Sequence, residues 1–238
     1  MYLPAALAAD PGIWVNGITE SINDVTLGAA LSGTVGSRPF KEGDFVKKTD
    51  IILNLDKRLE ELEVTRKKFQ MDLQKTELDS TRKLFEKNAI SISREEMDKK
   101  NSEYDVARVE YDLAKEQLRK RSVEAPFDGF IAQYFLNVGE ACQAQQPLVR
   151  LVDTRRCYFV TNVEAKTGYG LKPGQTVKLE IDAGTSPASF AGLVFFVSPV
   201  VDPASGLMRV KVIFENLEAR IRPGVAGRMF LEERSNVN

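Results

Sequence analysis

Histidine is absent from this 238-residue chain. With it goes the side chain most often used for proton transfer near neutral pH and for holding zinc. Only two cysteines occur, Cys142 and Cys157. They have neither a CxxC nor another metal-ligand spacing and read as small apolar residues in or beside strands; nothing in the spacing signals a disulfide between them. The five methionines are not clustered, which also argues against a metal-handling site. A net charge of −1 gives no basic surface for a nucleic acid. No apolar run reaches the roughly eighteen residues of a membrane span. There is no nucleophile elbow, no phosphate loop and no acid–base pair in a glycine-framed site, so neither an enzyme nor a cofactor site has residues to rest on.

Proline and glycine are both missing from Lys57 to Arg121, a charged stretch interrupted once near Asn88–Ser93. Each arm of about thirty residues would make a helix roughly 45 Å long. In the first arm Val64, Met71, Leu78 and Phe85 recur at every seventh position, flanked by Leu59, Leu62, Phe69 and Leu73. In the second arm Met97, Tyr104, Tyr111 and Leu118 do the same, with Ala107 and Ala114 three residues after two of them. One narrow apolar seam per helix, with mixed charges elsewhere, predicts an antiparallel helical hairpin.

At the break, Asn88 suits a left-handed helix end, Ser91 or Ser93 can cap the next helix, and Ser93 with Glu96 forms a capping box. Ile90 and Ile92 then sit at the tip of a rod, where exposed apolar residues serve either minor packing or docking.

The remaining sequence, in a chain 43% apolar, holds enough for one or two small cores. From Gly17 to Asp56 it reads as short strands and turns, including Asp24–Leu31 and Ile51–Leu55. The same rhythm returns after the hairpin. Gly33 and Gly43 are answered by Gly129 and Gly139, Val46 by Cys142, and Ile51–Asp56 by Leu148–Asp153, with one extra residue in the second copy. Two matching halves split by a long insertion would pair into one small flattened barrel, with the helices leaving and returning at one corner.

From Cys157 to Glu232 five strands are expected: Tyr158–Val163, Thr176–Ile181, Phe190–Ser198, Met208–Phe214 and Ala226–Leu231. Alternation in Val177, Leu179, Ile181 and in Val210, Val212, Phe214 gives each strand one buried face. A second small antiparallel barrel follows, joined by an N-terminal strand Ile13–Glu20.

The order of half-motif, hairpin and half-motif resembles the biotinyl/lipoyl-type domain of periplasmic adaptor proteins, or membrane fusion proteins, of tripartite efflux and secretion systems, notably the resistance-nodulation-division type. The resemblance rests on Gly33-Thr34-Val35, Glu42-Gly43-Asp44-Phe45-Val46, Ala125-Pro126-Phe127-Asp128-Gly129 and Val138-Gly139-Glu140. It extends into the second barrel at Leu171-Lys172-Pro173-Gly174-Gln175, Ser198-Pro199-Val200-Val201-Asp202-Pro203 and Arg222-Pro223-Gly224. The implied fold class is mainly β with a long α-helical hairpin: a split lipoyl-like barrel-sandwich domain interrupted by an antiparallel coiled coil, plus a second β-barrel. The expected parts are an N-terminal segment and first barrel strand (1–21), lipoyl-like half one (22–56), hairpin (57–121), half two (122–156), β-barrel (157–232) and tail (233–238).

The same resemblance implies a function. A periplasmic adaptor, held at the inner membrane by its partners or an N-terminal anchor, links an inner-membrane transporter to an outer-membrane channel, with copies closing into a hexameric ring. An adaptor of an ABC-type exporter is the near alternative; a lipoyl or biotin carrier, or a plain coiled-coil scaffold, each explain only part of the chain. The carrier reading loses its main residue, because Lys57 opens a helix where carriers present a modified lysine on a tight hairpin. Channel docking is expected at the hairpin tip, through Arg82, Leu84, Phe85, Asn88, Ile90, Ser91, Ile92 and Ser93. The tip departs from the family's Arg, Leu, Ser pattern: Leu84 and Ser91 fit but Ser80 stands at the Arg position, and registering on Arg82 and Ser93 puts Glu86 where Leu belongs. Many adaptors also continue into a membrane-proximal domain, whereas this sequence stops at Asn238, and Leu3–Ala9 before Asp10-Pro11 resembles the tail of a secretory signal.

Overall fold

The computed structural model describes residues 12–87, 93–184, 186–217 and 220–232. In chain order the elements are β1 (Gly12–Gly28), β2 (Gly33–Ser37), β3 (Phe45–Val46), β4 (Ile51–Leu55), α1 (Arg58–Lys87), α2 (Arg94–Arg119), β5 (Ser122–Glu124) and β6 (Gly129–Tyr134). They continue with β7 (Ala141–Cys142), β8 (Pro147–Glu164), the single turn α3 (Ala165–Gly168), β9 (Thr176–Asp182), β10 (Pro187–Val197), β11 (Leu207–Glu215) and β12 (Ala226–Glu232). The chain forms two compact units, Thr26–Arg150 and Met1–Val25 with Leu151–Asn238.

In the first unit the two sequence halves exchange strands. Phe45 and Val46 of β3 pair with Phe130 and Gly129 of β6, while Gly33 and Thr34 of β2 pair with Cys142 and Ala141 of β7. The tight turns repeat the exchange: Gly43 N–H donates to Ile131 O (2.8 Å), and Gly139 N–H donates to Val35 O (2.8 Å). Gly43 and Gly139, 96 positions apart, hold φ of +90° and +92°, which a residue with a Cβ adopts only under strain. Each turn is closed the same way, Lys41 N–H donating to the Asp44 carboxylate (2.8 Å) and Asn137 N–H to the Glu140 carboxylate (2.9 Å).

The halves match without the extra residue expected in the second copy. Burial falls on Ile52, Leu53 and Leu55 in β4 and on Leu148, Val149 and Leu151 in β8. Ile51 therefore answers Pro147, and the offset stays at 96 throughout. A one-residue slip would have turned every buried side chain to the opposite face.

The second unit is an antiparallel barrel. Its strand order β1-β12-β9-β10-β11-β8 closes through a further pairing of β1 with β8. Alternation along β9 and β11 places Leu179, Ile181, Val210 and Val212 inside, with Phe159 and Met229, all fully shielded from water. Asn216 is buried beneath the loop before β12. Its Nδ2 donates to Thr154 O and Ile221 O (both 2.8 Å), and its Oδ1 accepts from Ile221 N–H (3.0 Å), so no polar atom of the amide is stranded.

The N-terminal strand and the strand expected at Asp24–Leu31 are one element, β1. Its pairing with β12 runs from Gly12 to Ile18, and Thr19 continues the edge by exchanging hydrogen bonds with Val225. The strand runs on to Gly28 through Asn23-Asp24, residues that otherwise favour turns.

Candidate functional site

The hairpin has little core of its own. Only Leu78 on α1 and Ala107 and Ala114 on α2 are buried among its described residues. Val64, Met71 and Phe85 facing Met97, Tyr104, Tyr111 and Leu118 are half-buried along the same line. Small residues at Ala107 and Ala114 let the helices approach closely. The flanking residues Leu59, Leu62, Phe69 and Leu73 do not join the seam and are 57–78% exposed. At about 100° per residue, Leu62, Phe69 and Leu73 point nearly opposite to the line through Lys67, Met71, Gln74 and Leu78.

Cross-helix ion pairs fix the register. Lys67 Nζ meets Glu110 Oε2 at 2.6 Å, and Lys100 Nζ donates to Glu77 Oε2 at 2.8 Å and Glu103 Oε2 at 2.9 Å. Hydrogen bonds to Glu77 and then Glu103 raise the Lys100 ammonium pKa well above its ordinary value.

At the base, one residue ties both helices to the sheets. Arg121 donates from Nε and Nη2 to Glu60 Oε1 (2.9 and 2.6 Å) and from Nη1 to Ser32 O (2.8 Å). A Cβ at Gly33 would stand 2.7 Å from that Nη1, so glycine there makes room for the guanidinium. Asn54 Oδ1 accepts from both Ser122 Oγ (2.8 Å) and Lys57 Nζ (3.2 Å). Lys57 immediately precedes α1 and also lies 4.0 Å from Glu61, so its amine is engaged in fixing the helix start. The Arg121 clamp was not legible in the sequence, because Arg121 and Glu60 lie 61 positions apart with no motif linking them.

At the far end, Arg82 is exposed, Leu84 is 56% exposed and Phe85 is half-buried in the seam. Ser93 is the N-cap of α2, its side chain accepting from Glu96 N–H at 3.1 Å. Asn88, Ile90, Ser91 and Ile92 lie outside the described residues. Arg82, Leu84, Phe85 and Ser93 thus share the distal end of the two helices.

Elsewhere both cysteines are free and buried. Burial pushes the Cys157 thiol pKa up to about 11, which leaves it un-ionised at neutral pH. Among the described residues no cluster of three or more His, Cys, Asp or Glu could hold a metal ion, and no helix is long and apolar enough to cross a membrane.

The family model for the barrel-sandwich hybrid domain of RND membrane fusion proteins (RND MFP) matches residues 23–154, more than half of the chain. An uncharacterized protein of Haemophilus influenzae is 24% identical over 220 residues, covering 88% of this chain and 56% of that protein. Nodulation protein NolF of Rhizobium meliloti is 24% identical over 221 residues, covering 88% and 60%. The chain thus spans 56–60% of the length of these relatives. The crystal structure of a MacA-MexA chimeric protein carrying the Pseudomonas aeruginosa MexA α-hairpin domain has the same fold, with a TM-score of 0.80 at 20% identity over 94% of this chain and 83% of that one. With its strand-exchanged halves, the hairpin between them and the closed barrel, the chain belongs to the RND-type membrane fusion proteins.

Proposed function

We propose that this chain works as a periplasmic adaptor, linking an inner-membrane transporter of the resistance-nodulation-division type to an outer-membrane channel. One observation carries the reading: a long hairpin with little core of its own is anchored at its base by Arg121, Glu60 and Asn54 to a strand-exchanged domain. A rod rooted in a rigid base and solvated along its length suits reaching and docking better than it suits catalysis. The distal residues Arg82, Leu84, Phe85, Asn88, Ile90, Ser91, Ile92 and Ser93 are the proposed contact with the channel. Several copies, six by family resemblance, would close into a ring when transporter or channel templates them.

Replacing Ile90 and Ile92 with Asp tests the docking site. Both barrels should keep their stability while co-purification with the channel is lost; unchanged channel binding by this double variant would move the docking site elsewhere. The carrier alternative is tested by intact mass. With the Lys57 amine engaged by Asn54 and Glu61, protein from its native host is expected at the unmodified mass, and a lipoyl or biotinyl adduct on Lys57 would replace the adaptor reading with a carrier.

A further inference from the structure

The 96-residue offset of the first unit extends to its backbone strain. Among the described residues only Thr49 (φ +75°) and Gln145 (φ +67°) hold a positive φ without being glycine, and they are equivalent positions of the two halves. A left-handed residue with a Cβ persists only where its surroundings over-determine it. Here each is held in a clasp onto the other half. Thr49 N–H donates to Ala125 O (2.8 Å) and Ala125 N–H to Asp50 O (2.9 Å), while Gln145 N–H donates to Ala29 O (2.7 Å) and Ala29 N–H to Gln146 O (2.9 Å). Ala29 and Ala125, again 96 apart, are both buried.

The closures around these bonds differ. In the first clasp Lys47 N–H donates to the Asp50 carboxylate and Lys48 N–H to the Asp128 carboxylate, both at 2.8 Å. In the second the equivalent acceptors are neutral: the Gln146 amide oxygen takes Gln143 N–H at 2.9 Å, and the Ser32 hydroxyl takes Ala144 N–H at 3.2 Å. The glycine turns show no such difference, since the carboxylates of Asp44 and Glu140 close both. Thr49 is β-branched and bears the larger strain, which alone would open the first clasp sooner. Charged acceptors make hydrogen bonds roughly twice as strong as neutral ones, and two of them outweigh one branched side chain. The Gln145 clasp is the weaker of the pair.

Ser32 belongs to the hairpin root as well. Its carbonyl accepts from Arg121 Nη1 (2.8 Å), while Arg121 grips Glu60 of α1 through Nε and Nη2 (2.9 and 2.6 Å). One residue thus meets the weak clasp through its hydroxyl and the root through its carbonyl. We propose that the Gln145 clasp is a local opening point of the first unit and that the hairpin root governs it, Arg121 holding Ser32 where it closes the clasp. With the root intact the clasp stays shut. A displacement of α1 that draws Arg121 off Ser32 frees Ala29 and Gln145, and lets Gln145 leave the left-handed region. Arg121 lies only four positions from Ala125 of the other clasp, so this coupling runs against proximity along the chain. It does not depend on what the hairpin meets at its far end.

Native-state hydrogen exchange of the full chain, read at the amides of Ala29, Thr49, Ala125 and Gln145, tests both parts. In the parent chain Ala29 and Gln145 should have protection factors at least about tenfold below those of Ala125 and Thr49. Equal protection, or the reverse order, overturns the weak clasp. Gln146→Asp gives the second clasp the carboxylate of the first and should raise protection at Ala29 and Gln145 severalfold; no gain at either overturns it as well. Arg121→Ala should lower protection at Ala29 and Gln145 by at least a further factor of about ten while Ala125 and Thr49 keep theirs. A fall at all four amides, at Ala125 and Thr49 alone, or at none overturns the coupling. Glu60→Gln removes the charge that orients Arg121 and keeps an acceptor, so it should act in the same direction at unchanged helical circular dichroism and decides the matter if the alanine variant unfolds.

Discussion

The six-stranded barrel and the helical hairpin hold together by different means. The barrel buries Phe159, Leu179, Ile181, Val210, Val212 and Met229 completely, so apolar burial dominates its stability. The hairpin buries one leucine and two alanines, and adds a seam of half-covered side chains, cross-helix ion pairs and an arginine clamp at its base. Exposed ion pairs contribute only about 0–1 kcal/mol each, so the hairpin depends on its anchorage to the sheets. The hairpin has little core to lose, whereas the barrel holds a continuous apolar core even though Tyr169 and Phe195 stay exposed on its surface.

Core truncation should produce the largest effect. Phe159→Ala should cost the barrel about 3–5 kcal/mol, since a fully buried aromatic leaves a cavity that the closed sheet fills poorly. Trp14, the only tryptophan, stacks on Phe230 in the barrel with ring centroids 5.1 Å apart, so its fluorescence follows that unit while helical circular dichroism follows the hairpin. A fluorescence transition at much lower denaturant with the helical transition unmoved is expected; a common shift of both would remove the distinction between the regions.

A smaller loss is expected at the hairpin base. Arg121→Ala leaves Glu60, only 20% exposed, and the Ser32 carbonyl without their donor, at about 1–3 kcal/mol. Here the helical signal should melt earlier and Trp14 fluorescence should hold its midpoint. Loss of the fluorescence transition in this variant would mean that the anchorage serves the barrel instead.

The smallest effect is a pH dependence of the barrel. Asp153 is buried; burial alone would raise its pKa, but hydrogen bonds from the Arg155 side chain (Nε at 3.0 Å, Nη2 at 2.9 Å) and backbone N–H (3.1 Å) hold it below the ordinary carboxylate range. A depressed folded-state pKa stabilises above the unfolded value and is lost as pH falls through the folded one. The stability difference between the parent chain and Asp153→Asn should therefore be full at neutral pH and shrink below about pH 4. A difference independent of pH would assign the loss to packing rather than charge.

Much of this was readable from residue order because it depends on local periodicity. Heptads at Val64, Met71 and Leu78 and the lack of proline and glycine specify two long helices before any contact forms, and the Ser93 cap needs only its own neighbours. The repeat of Gly43 and Gly139 and the alternation around Leu179 and Val210 likewise show two matched halves and a strand-rich remainder. The register of the halves differs by one residue from the sequence expectation because an apolar run such as Leu148-Val149-Arg150-Leu151 aligns plausibly in two ways. Only burial distinguishes them. Leu59, Leu62, Phe69 and Leu73 flank the heptad seam in the sequence, and the structure leaves all four of them 57–78% exposed. The Arg121–Glu60 clamp and the strand exchange arise from groups far apart in the chain, and chain closure in three dimensions alone brings such groups together.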